Sequence, residues 1–315
     1  MAEKIATRAA YGKALLELAK ENDNIVVIDA DLCACTKTDL FAAEFPERYL
    51  NLGIAESNMV GVAAGLATCG KVAVANSFAM FSAGRAFEQI RNSVAYPNLN
   101  VKIIGTHAGL SVGKDGATHQ CLEDIGLLRT VPNMTVICPA DAVETYQAFR
   151  AAVEHEGPVY LRLGRLAVET VNDTEDYRFE LGKGILKKPG SDVTIVTTGL
   201  MLQEALAARE ELLADGIEAR IVHIPTIKPL DEEIIVQAAK ETGLIITAEE
   251  HNILGGLGSA VAEVLAEKCP VPMRRIGTND VFGKSGEPHE LMAEYGLNKD
   301  NIVKVVREEY AKKTA

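Results

Sequence analysis

Residues 25–31 read IVVIDAD, a short apolar run that ends in acidic residues. A run of this kind is typical of a strand that a parallel sheet buries on both faces. Further along the chain, comparable runs follow at VAVAN (72–76), VKIIG (101–105), MTVICP (134–139) and VYLRLG (159–164). Apolar residues at helical spacing lie in the intervals, notably over 56–69, 81–95 and 141–154. This alternation predicts an α/β fold with a parallel sheet.

The composition changes after Arg165, where VETVNDTEDYRFELGKG (168–184) is polar, acidic and rich in turn-forming residues. The strand-and-helix pattern then resumes at DVTIVTTG (192–199), EARIVHIP (218–225) and GLIITAEE (243–250). A chain of 315 residues is also long enough for two domains. We therefore predict two α/β domains, the first at 1–170 and a smaller one at 185–315, joined by a linker at 171–184.

The composition argues against several classes of protein. A net charge of −12 argues against nucleic-acid binding and against binding to anionic membranes. No stretch is apolar enough to span a bilayer, and the N-terminus lacks the pattern of a signal peptide. The six cysteines are scattered and include no CxxC pair. We therefore expect reduced thiols in a cytoplasmic protein, rather than a disulfide scaffold or a zinc site.

Two stretches carry isolated residues that could be functional. In NLGIAESNMVGVAAG (51–65), Glu56 is the only charged residue, and it is expected to begin a helix. A glutamate there often serves only the helix dipole or a cap. In ANSFAMFSAG (75–84), Phe78 and Phe81 are three residues apart, as on one helical face. Packing in the core would also explain these two phenylalanines.

A third stretch, THAGLSVGKDGATHQ (106–120), follows a predicted strand and is rich in glycine. It contains His107, Asp115 and His119. These side chains could bind a metal in principle, but widely spaced ligands on a loop are a weak metal pattern. Two unrelated surface histidines are the simpler alternative.

Together the three stretches resemble the pyrimidine-binding half of transketolases, which are thiamine-diphosphate enzymes. The resemblance implies a pyrimidine-binding parallel-sheet domain followed by a smaller transketolase C-terminal domain. AEEHNILGGLGSAV (248–261) and DVFGKSGEPHELMAEYGL (280–297) carry the second part of it. His251 and His289, within these two segments, are expected to be structural.

The resemblance also implies roles in binding the cofactor. Glu56 would face N1′ of the aminopyrimidine ring and start catalysis by moving a proton there. An apolar pocket favours sharing that proton over leaving a bare carboxylate. Phe78 and Phe81 would contact the face and edge of the ring. The tyrosine that often follows them in the family is replaced here by Gly84, with Arg85 beside it.

The polar loop is assigned to the substrate by the same resemblance. His119 and Asp115 would bind sugar hydroxyls, with His119 also catalytic, and His107 would lie near hydroxyls or phosphate. Histidine suits such a role because it can donate, accept or shuttle a proton near neutral pH.

Charged and hydroxyl residues elsewhere complete the expected site. Arg8 and Arg165 match family positions that hold the sugar phosphate, and Arg162 is an alternative to Arg165. Asp31 matches an aspartate near the thiazolium side of the cofactor. Thr36 is the nearby hydroxyl donor expected to help bind the phosphate.

Complete transketolases bind the diphosphate and its metal through a Gly-Asp-Gly motif followed by an asparagine. This sequence lacks that motif, so we expect no metal ligand in the chain itself. Thiamine diphosphate with Mg²⁺ or a similar divalent metal would then be held mainly by an N-terminal transketolase subunit as partner. We also expect the chain to self-associate as a homodimer.

These expectations predict the C-terminal subunit of a two-chain transketolase. It would move a two-carbon ketol unit from a ketose phosphate to an aldose phosphate. The beta subunit of a 2-oxo-acid dehydrogenase E1 component is one alternative, although DGATHQ (115–120) argues against it. Part of a deoxyxylulose-phosphate synthase is another, but that enzyme is normally one long chain. A non-catalytic paralogue that binds sugars or a partner is a third, and the presence of Glu56, Phe78 and the loop histidines argues against it.

Overall fold

A computed structural model describes residues 4–172 and 176–314 and shows two α/β units. The strands of the first unit are β1 (Ile5–Ala6), β2 (Ile25–Asp29), β3 (Tyr49–Asn51), β4 (Val72–Phe78), β5 (Val101–Thr106), β6 (Thr135–Ile137), β7 (Val159–Arg162) and β8 (Ala167–Val168). Its helices are α1 (Thr7–Glu21), α2 (Cys33–Thr36), α3 (Asp39–Glu44), α4 (Glu56–Thr68), α5 (Phe87–Gln89), α6 (Asp124–Arg129) and α7 (Ala142–Glu154).

The second unit follows the same alternation. Its strands are β9 (Ile185–Lys188), β10 (Val193–Thr197), β11 (Ala219–His223), β12 (Thr226–Lys228), β13 (Ile245–Asn252) and β14 (Met273–Thr278). Its helices are α8 (Met201–Ala214), α9 (Glu232–Thr242), α10 (Leu257–Lys268), α11 (Pro288–Glu294) and α12 (Lys299–Thr314). None of the helices in the described ranges is long and apolar enough to cross a membrane.

The larger sheet has seven strands in the order β12-β6-β7-β5-β4-β2-β3. Neighbouring strands from β6 to β3 in this order are parallel, and β12 pairs antiparallel with β6 at one edge. The four central strands β7, β5, β4 and β2 are buried along their whole length. They lie between two layers of helices, which is why their sequences are almost continuously apolar.

Each face of this sheet has its own apolar core. On one face, α4 contributes Met59 and Val60 to a cluster with Ile28 and Ile103 of the sheet. On the other face, α1 and α7 pack together, and the rings of Tyr11 and Phe149 meet edge to face at 4.9 Å. The two layers leave the carboxyl ends of the parallel strands free to carry a site.

The smaller sheet has five strands in the order β14-β13-β10-β11-β9. All pairs are parallel except β11 with β9. Helices α8 and α12 cover one face, and α9 and α10 cover the other. The two-domain α/β organisation with parallel sheets is therefore confirmed.

The two units share structure at their junction. Strand β12 belongs to the second half of the sequence but extends the first sheet. The proposed limits 1–170, 171–184 and 185–315 stay predictions, and residues 173–175 of the predicted linker lie outside the described residues. On the far side of that gap, the Tyr177 hydroxyl donates to Glu144 of α7, which also contacts His223 of β11 at 2.8 Å.

One predicted helix is irregular. Over 81–95 the sequence predicts a regular helix, whereas the structure has two π-helical segments, Met80–Arg85 and Ile90–Ala95, joined by α5. Phe78 precedes them as the last residue of β4. The expectation that Phe78 and Phe81 share one helical face is therefore wrong, because the chain changes from strand to helix between them.

Candidate active site

The candidate residues of the first unit collect at the carboxyl edge of the seven-stranded sheet. Phe78 ends β4, His107 directly follows β5, and Asp31 and Arg165 lie a few residues beyond β2 and β7. Parallel strands bring these ends together, which makes this edge the usual ligand site of an α/β fold.

Glu56 is the first residue of α4, as predicted, and only 4% of it is exposed. Its Oε1 accepts a hydrogen bond of 3.0 Å from Nη1 of Arg85, which is 29 residues away in sequence. This pairing offsets part of the cost of removing the carboxylate from water. Glu56 is therefore not the isolated acid that its apolar sequence context indicated.

Phe78 and Phe81 form an aromatic surface that Arg85 links to Glu56. Their ring centroids are 5.8 Å apart and their planes differ by 22°. The guanidinium carbon of Arg85 lies 4.1 Å from the centroid of Phe81, a cation–π arrangement. We call Glu56, Phe78 and Phe81 the ring pocket, in which Arg85 lies between Phe81 and Glu56.

The position that carries a tyrosine in many transketolases is Gly84 in this chain. A Cβ atom added there would lie 2.5 Å from the terminal methyl of Met80, so the flexible end of that side chain would have to move to admit a larger residue. The side chain of Arg85, half of it exposed, lies over Phe81 instead.

Residues 106–120, called the histidine loop below, begin with a strained residue. His107 has a φ of 56°, in the left-handed region, and is 3% exposed. Its ring stacks on Phe78 at 3.9 Å, and its Nδ1 lies 3.0 Å from Oγ1 of Thr106. This stacking joins the histidine loop to the ring pocket.

Burial lowers the pKa of His107 to about 3. Neighbouring positive charges act in the same direction, and they belong to Arg8, Arg165, His119 and Lys37. The imidazole is therefore neutral at physiological pH. The charged form is costly in this buried, cationic environment, and the predicted place of His107 near sugar hydroxyls or phosphate stays a prediction.

The rest of the histidine loop turns tightly; residues 108–113 are buried, and exposed positions begin at Lys114. Three glycines have φ near +80°, namely Gly109, Gly113 and Gly116. The ring of His119 meets Phe81 edge-on at 5.2 Å, and its Nδ1 lies 2.9 Å from Oγ1 of Thr118. Loop residues 107 and 119 thus reach the same aromatic surface, although twelve positions separate them.

Two arginines flank the loop. Nη1 of Arg165 donates to the carbonyl of Val112 at 2.8 Å and to Oδ1 of Asp115 at 3.1 Å. Nη1 of Arg8 donates to the carbonyl of Cys35 at 2.6 Å, while its Nε is buried without a hydrogen-bond partner within the described residues. Burial lowers the pKa of Arg8, and Arg165 lowers it as well. A vacant donor beside a second cation suits an anionic group.

Arg162 is directed elsewhere. It is 5% exposed, and its Nε donates to Oδ2 of the fully buried Asp124 at 2.8 Å. It is therefore part of a buried ion pair. Of the two alternatives from the sequence, Arg165 has the more exposed side chain, 40% against 5% for Arg162, and its contact with phosphate stays a prediction.

The expected role of Thr36 does not fit the structure. Its hydroxyl is fully buried and donates to Oδ2 of Asp29 at 2.8 Å. Asp29 also accepts from the amide of Leu32 and the hydroxyl of Thr38, and burial raises its pKa. Thr36 is thus committed to an internal hydrogen-bond network with Thr38 around the acid that ends β2.

Asp31, two residues after Asp29, is exposed and has a φ of 64°. Its amide donates to Oδ1 of Asn51 at 3.1 Å, which fixes the turn after β2. Sequence reasoning missed the buried Asp29. Its position as the last residue of an apolar strand was the signal that could have found it.

The comparisons with known proteins agree with this geometry. The family model of the transketolase pyrimidine-binding domain matches residues 3–170, and that of the transketolase C-terminal domain matches residues 182–302. A putative transketolase C-terminal section from Methanocaldococcus jannaschii is 52% identical over 307 residues, which are 97% of this chain and 96% of that protein. The chain belongs to the transketolase family.

Two further transketolase proteins are similar over almost their whole length. A 6-deoxy-6-sulfo-D-fructose transketolase subunit from a Clostridium strain is 44% identical, with 96% of this chain and 93% of that protein covered. A solved structure described as a split gene transketolase, inactive beta4 tetramer, superposes with a TM-score of 0.89 at 52% identity. It covers 98% of this chain and 99% of its own.

Membership of the transketolase family implies dependence on thiamine diphosphate. The ring pocket fits the aminopyrimidine half of that cofactor. Arg85 itself shows the fit, because its flat guanidinium stacks on Phe81 while donating to Glu56. A flat heterocycle facing Glu56 can use the same two features, an aromatic face and a buried acceptor.

The transketolase C-terminal domain holds its histidines differently. His251 is fully buried, with Nδ1 2.7 Å from the carbonyl of Asn252 and Nε2 accepting from the amide of Gly126 at 3.3 Å. His289 lies exposed in the first turn of α11. Within residues 4–172 and 176–314, no group of three or more His, Cys, Asp or Glu side chains is arranged to hold a metal ion.

Proposed function

We propose that this chain is the C-terminal subunit of a two-chain transketolase, which transfers a two-carbon ketol unit from a ketose phosphate to an aldose phosphate. The observation that supports it best is the joining of the ring pocket to the histidine loop by the His107–Phe78 stack at 3.9 Å. A cofactor ring held by the pocket would have the loop's polar side chains beside it.

Thiamine diphosphate, when bound, supplies the nucleophilic carbon and the electron sink for breaking and making the carbon–carbon bond. In this chain, Glu56 would hold and move a proton at its carboxylate, facing the aminopyrimidine. Phe78 and Phe81 would orient the ring through their faces. Asp31 is assigned to the thiazolium side of the cofactor.

The histidine loop would handle the sugar. His119 and Asp115 would bind hydroxyls, with His119 in the position to exchange a proton with the substrate. His107, kept neutral by its environment, would act through hydrogen bonds alone. Arg8 and Arg165 would hold the anionic end of the sugar, because guanidinium groups match such oxygen-rich anions.

The anionic end need not be a phosphate. The Clostridium relative carries the name of a transketolase for a sulfonated fructose. A sulfonate presents three oxygens to the same two arginines, so a sulfo-sugar is the second candidate substrate. Ketol transfer is favoured over the dehydrogenase and synthase alternatives, because the relatives above are named as transketolase proteins.

The partner is proposed to be an N-terminal transketolase subunit that binds the diphosphate and Mg²⁺ or a similar divalent metal. The split-gene structure supports this division, since an assembly of that beta chain without another subunit is described as inactive. We expect this chain to form a homodimer within the assembly, in the cytoplasm. The six cysteines are all free thiols, which agrees with a reducing compartment.

Reconstitution tests this proposal. The purified chain is mixed with the Gly-Asp-Gly subunit from the same genome, thiamine diphosphate and Mg²⁺, and supplied with a panel of phosphorylated and sulfonated ketoses. We expect ketol transfer only in the mixture. Tight, metal-dependent cofactor binding by this chain alone would overturn the division between two chains. Activity limited to sulfonated sugars would replace phosphate as the anion.

A further inference from the structure

A carboxylate of the C-terminal domain reaches the histidine loop. Glu250 lies in β13 and is 5% exposed. Its Oε1 accepts a hydrogen bond of 2.6 Å from the backbone amide of Ser111. Ser111 lies between His107 and Asp115, so this bond fixes the loop between two residues proposed to face the sugar.

The loop backbone is shaped to receive this carboxylate. Gly109 has a φ of +82°, and a Cβ atom added to it would lie 2.2 Å from Cδ of Glu250. No L-residue with a side chain fits there without displacing the carboxylate. The glycine and the glutamate therefore form a complementary contact between the two domains.

Glu250 is itself held in place. Nη2 of Arg162 donates to its backbone carbonyl at 2.9 Å, and Nε of the same arginine donates to Asp124 of α6. Two residues further along β13, the amide of Asn252 donates to the carbonyl of Leu122 at 2.9 Å. Strand β13 thus lies against the loop as a fixed support.

Other contacts from the C-terminal domain reach later parts of the loop. Nε2 of Gln120 donates to the carbonyl of Lys284 at 2.9 Å, and the hydroxyl of Ser285 donates to the carbonyl of Lys114 at 2.6 Å. These bonds hold the far end of the loop. Glu250 holds its middle.

We propose that Glu250 is a positioning residue for the substrate, which sets the path of the histidine loop between His107 and Asp115 through the Ser111 amide. This inference rests on the proposed function for its effect on sugar binding. The C-terminal domain would then take part in substrate recognition without touching the reacting atoms.

The neighbouring residue offers a matched control. Glu249 is also fully buried in β13, but it accepts from the amides of Leu257 and Gly258 at 2.7 and 2.8 Å, at the start of α10. Glu249→Ala removes a buried carboxylate from the same strand without touching the loop. Any effect of general destabilisation should therefore be seen in both variants.

The first measurement uses this chain alone and does not depend on its function. Hydrogen exchange is followed at the amides of residues 109–115, relative to those of β5. In Glu250→Ala we expect exchange of the Ser111 amide to rise at least tenfold, consistent with loss of one buried hydrogen bond. Glu249→Ala should leave this ratio unchanged. Equal ratios in both variants would overturn the positioning role.

The second measurement uses the reconstituted enzyme. Glu250→Ala should raise the sugar KM on the order of tenfold, with unchanged cofactor affinity and a smaller change in kcat. Glu250→Gln retains an acceptor oxygen and should restore most of the wild-type KM. If exchange rises while KM does not move, Glu250 positions the loop but the loop does not bind the sugar, and the assignment of substrate roles fails. If cofactor affinity falls instead, Glu250 serves the ring pocket and the inference is wrong.

Discussion

The ring pocket and the histidine loop lie at the same sheet edge, but they are held in different ways. The pocket is built within one domain: Glu56 begins α4, Phe78 ends β4, and this helix packs against this strand. The loop lacks strand structure over residues 107–120 and turns at three glycines of positive φ. Its middle and far end are bonded to the other domain.

This difference separates two tasks that an enzyme site must perform. Geometry toward the cofactor is set by elements of the first domain alone, namely the start of α4, the end of β4 and the π-helical segment Met80–Arg85. Geometry toward the substrate depends on contacts between domains, and these can change without altering the sheet. Substitutions in the two regions should accordingly have different signatures, which the following predictions use.

The largest effect is expected in the ring pocket from Glu56→Gln. An amide cannot take up and return a proton, so turnover of the reconstituted enzyme should fall on the order of 10³-fold or more. The direct measurement is hydrogen–deuterium exchange at C2 of the bound thiazolium, with thermal unfolding as a control for the fold. Near-normal exchange in a folded variant would remove Glu56 from the proposed chemistry.

In the histidine loop, Asp115→Ala and His119→Ala should impair handling of the sugar. Each lost hydrogen bond to a polarised group corresponds to about 1.5–3 kcal/mol, or a 10- to 150-fold loss in kcat/KM. Cofactor affinity, measured by calorimetry on the assembled enzyme, should stay within a factor of two or so of wild type. A collapse of cofactor affinity with unchanged KM would move the loop from the substrate to the cofactor.

His107 lies in the histidine loop and stacks on Phe78 of the ring pocket. The pH dependence of the free energy of unfolding tests whether burial there keeps its imidazole neutral. Its folded pKa of about 3 lies below the ordinary value of 6.5. As pH falls below 6.5, the unfolded chain therefore binds a proton that the folded chain does not, and the free energy of unfolding decreases. At pH 5 this loss amounts to about 2 kcal/mol.

His107→Gln removes this titrating group. Urea unfolding at pH 7.5 and pH 5 should show an acid-induced loss smaller by about 2 kcal/mol in the variant than in wild type. Lys13, on the exposed part of α1, provides a site for a neutral control substitution. Identical acid losses in wild type and His107→Gln would mean that the histidine is not held neutral.

The smallest effect is expected from Arg85→Ala. Arg85 contacts both Glu56 and Phe81, the two residues proposed to face the ring. Because half of its side chain is exposed, its contribution as a competing occupant is about 0.5–1 kcal/mol. Cofactor dissociation constants of the reconstituted enzyme should therefore fall roughly two- to fivefold in the variant. Arg85→Lys keeps the charge without the planar guanidinium, so its cofactor dissociation constant should lie between those of wild type and Arg85→Ala. Weaker cofactor binding in Arg85→Ala would instead make Arg85 a permanent part of the pocket.

Much of the fold could be predicted from the sequence because parallel strands buried on both faces must be apolar. β2, β4, β5 and β7 were expected at nearly their observed limits for this reason. β12 was missed, since three residues between a strand and a helix carry too little periodicity. The π-helical turn at Met80–Arg85 was missed because apolar spacing does not distinguish it from an α-helix.

The position of a site residue could be predicted where its local sequence determines it. Its hydrogen-bond partners from distant segments could not. Glu56 at the start of α4 follows from local pattern. Its pairing with Arg85 requires knowing which segments meet at the sheet edge. The same holds for Thr36, whose hydroxyl turns to Asp29, and for Glu250, whose neighbour in space is 139 positions away in sequence.

Strand β12 has a consequence for how this chain can be divided. Thr226 and Lys228 pair with Ile137 and Val136, so the last strand of the first sheet comes from beyond β11 of the second. A fragment that stops at the linker would leave the backbone of β6 unpaired along an open edge, and such edges recruit other chains. The two halves of the chain are thus joined by strand pairing within one sheet and not by the linker alone. An attempt to exchange the C-terminal domain between relatives would have to carry residues 226–228 with the first sheet.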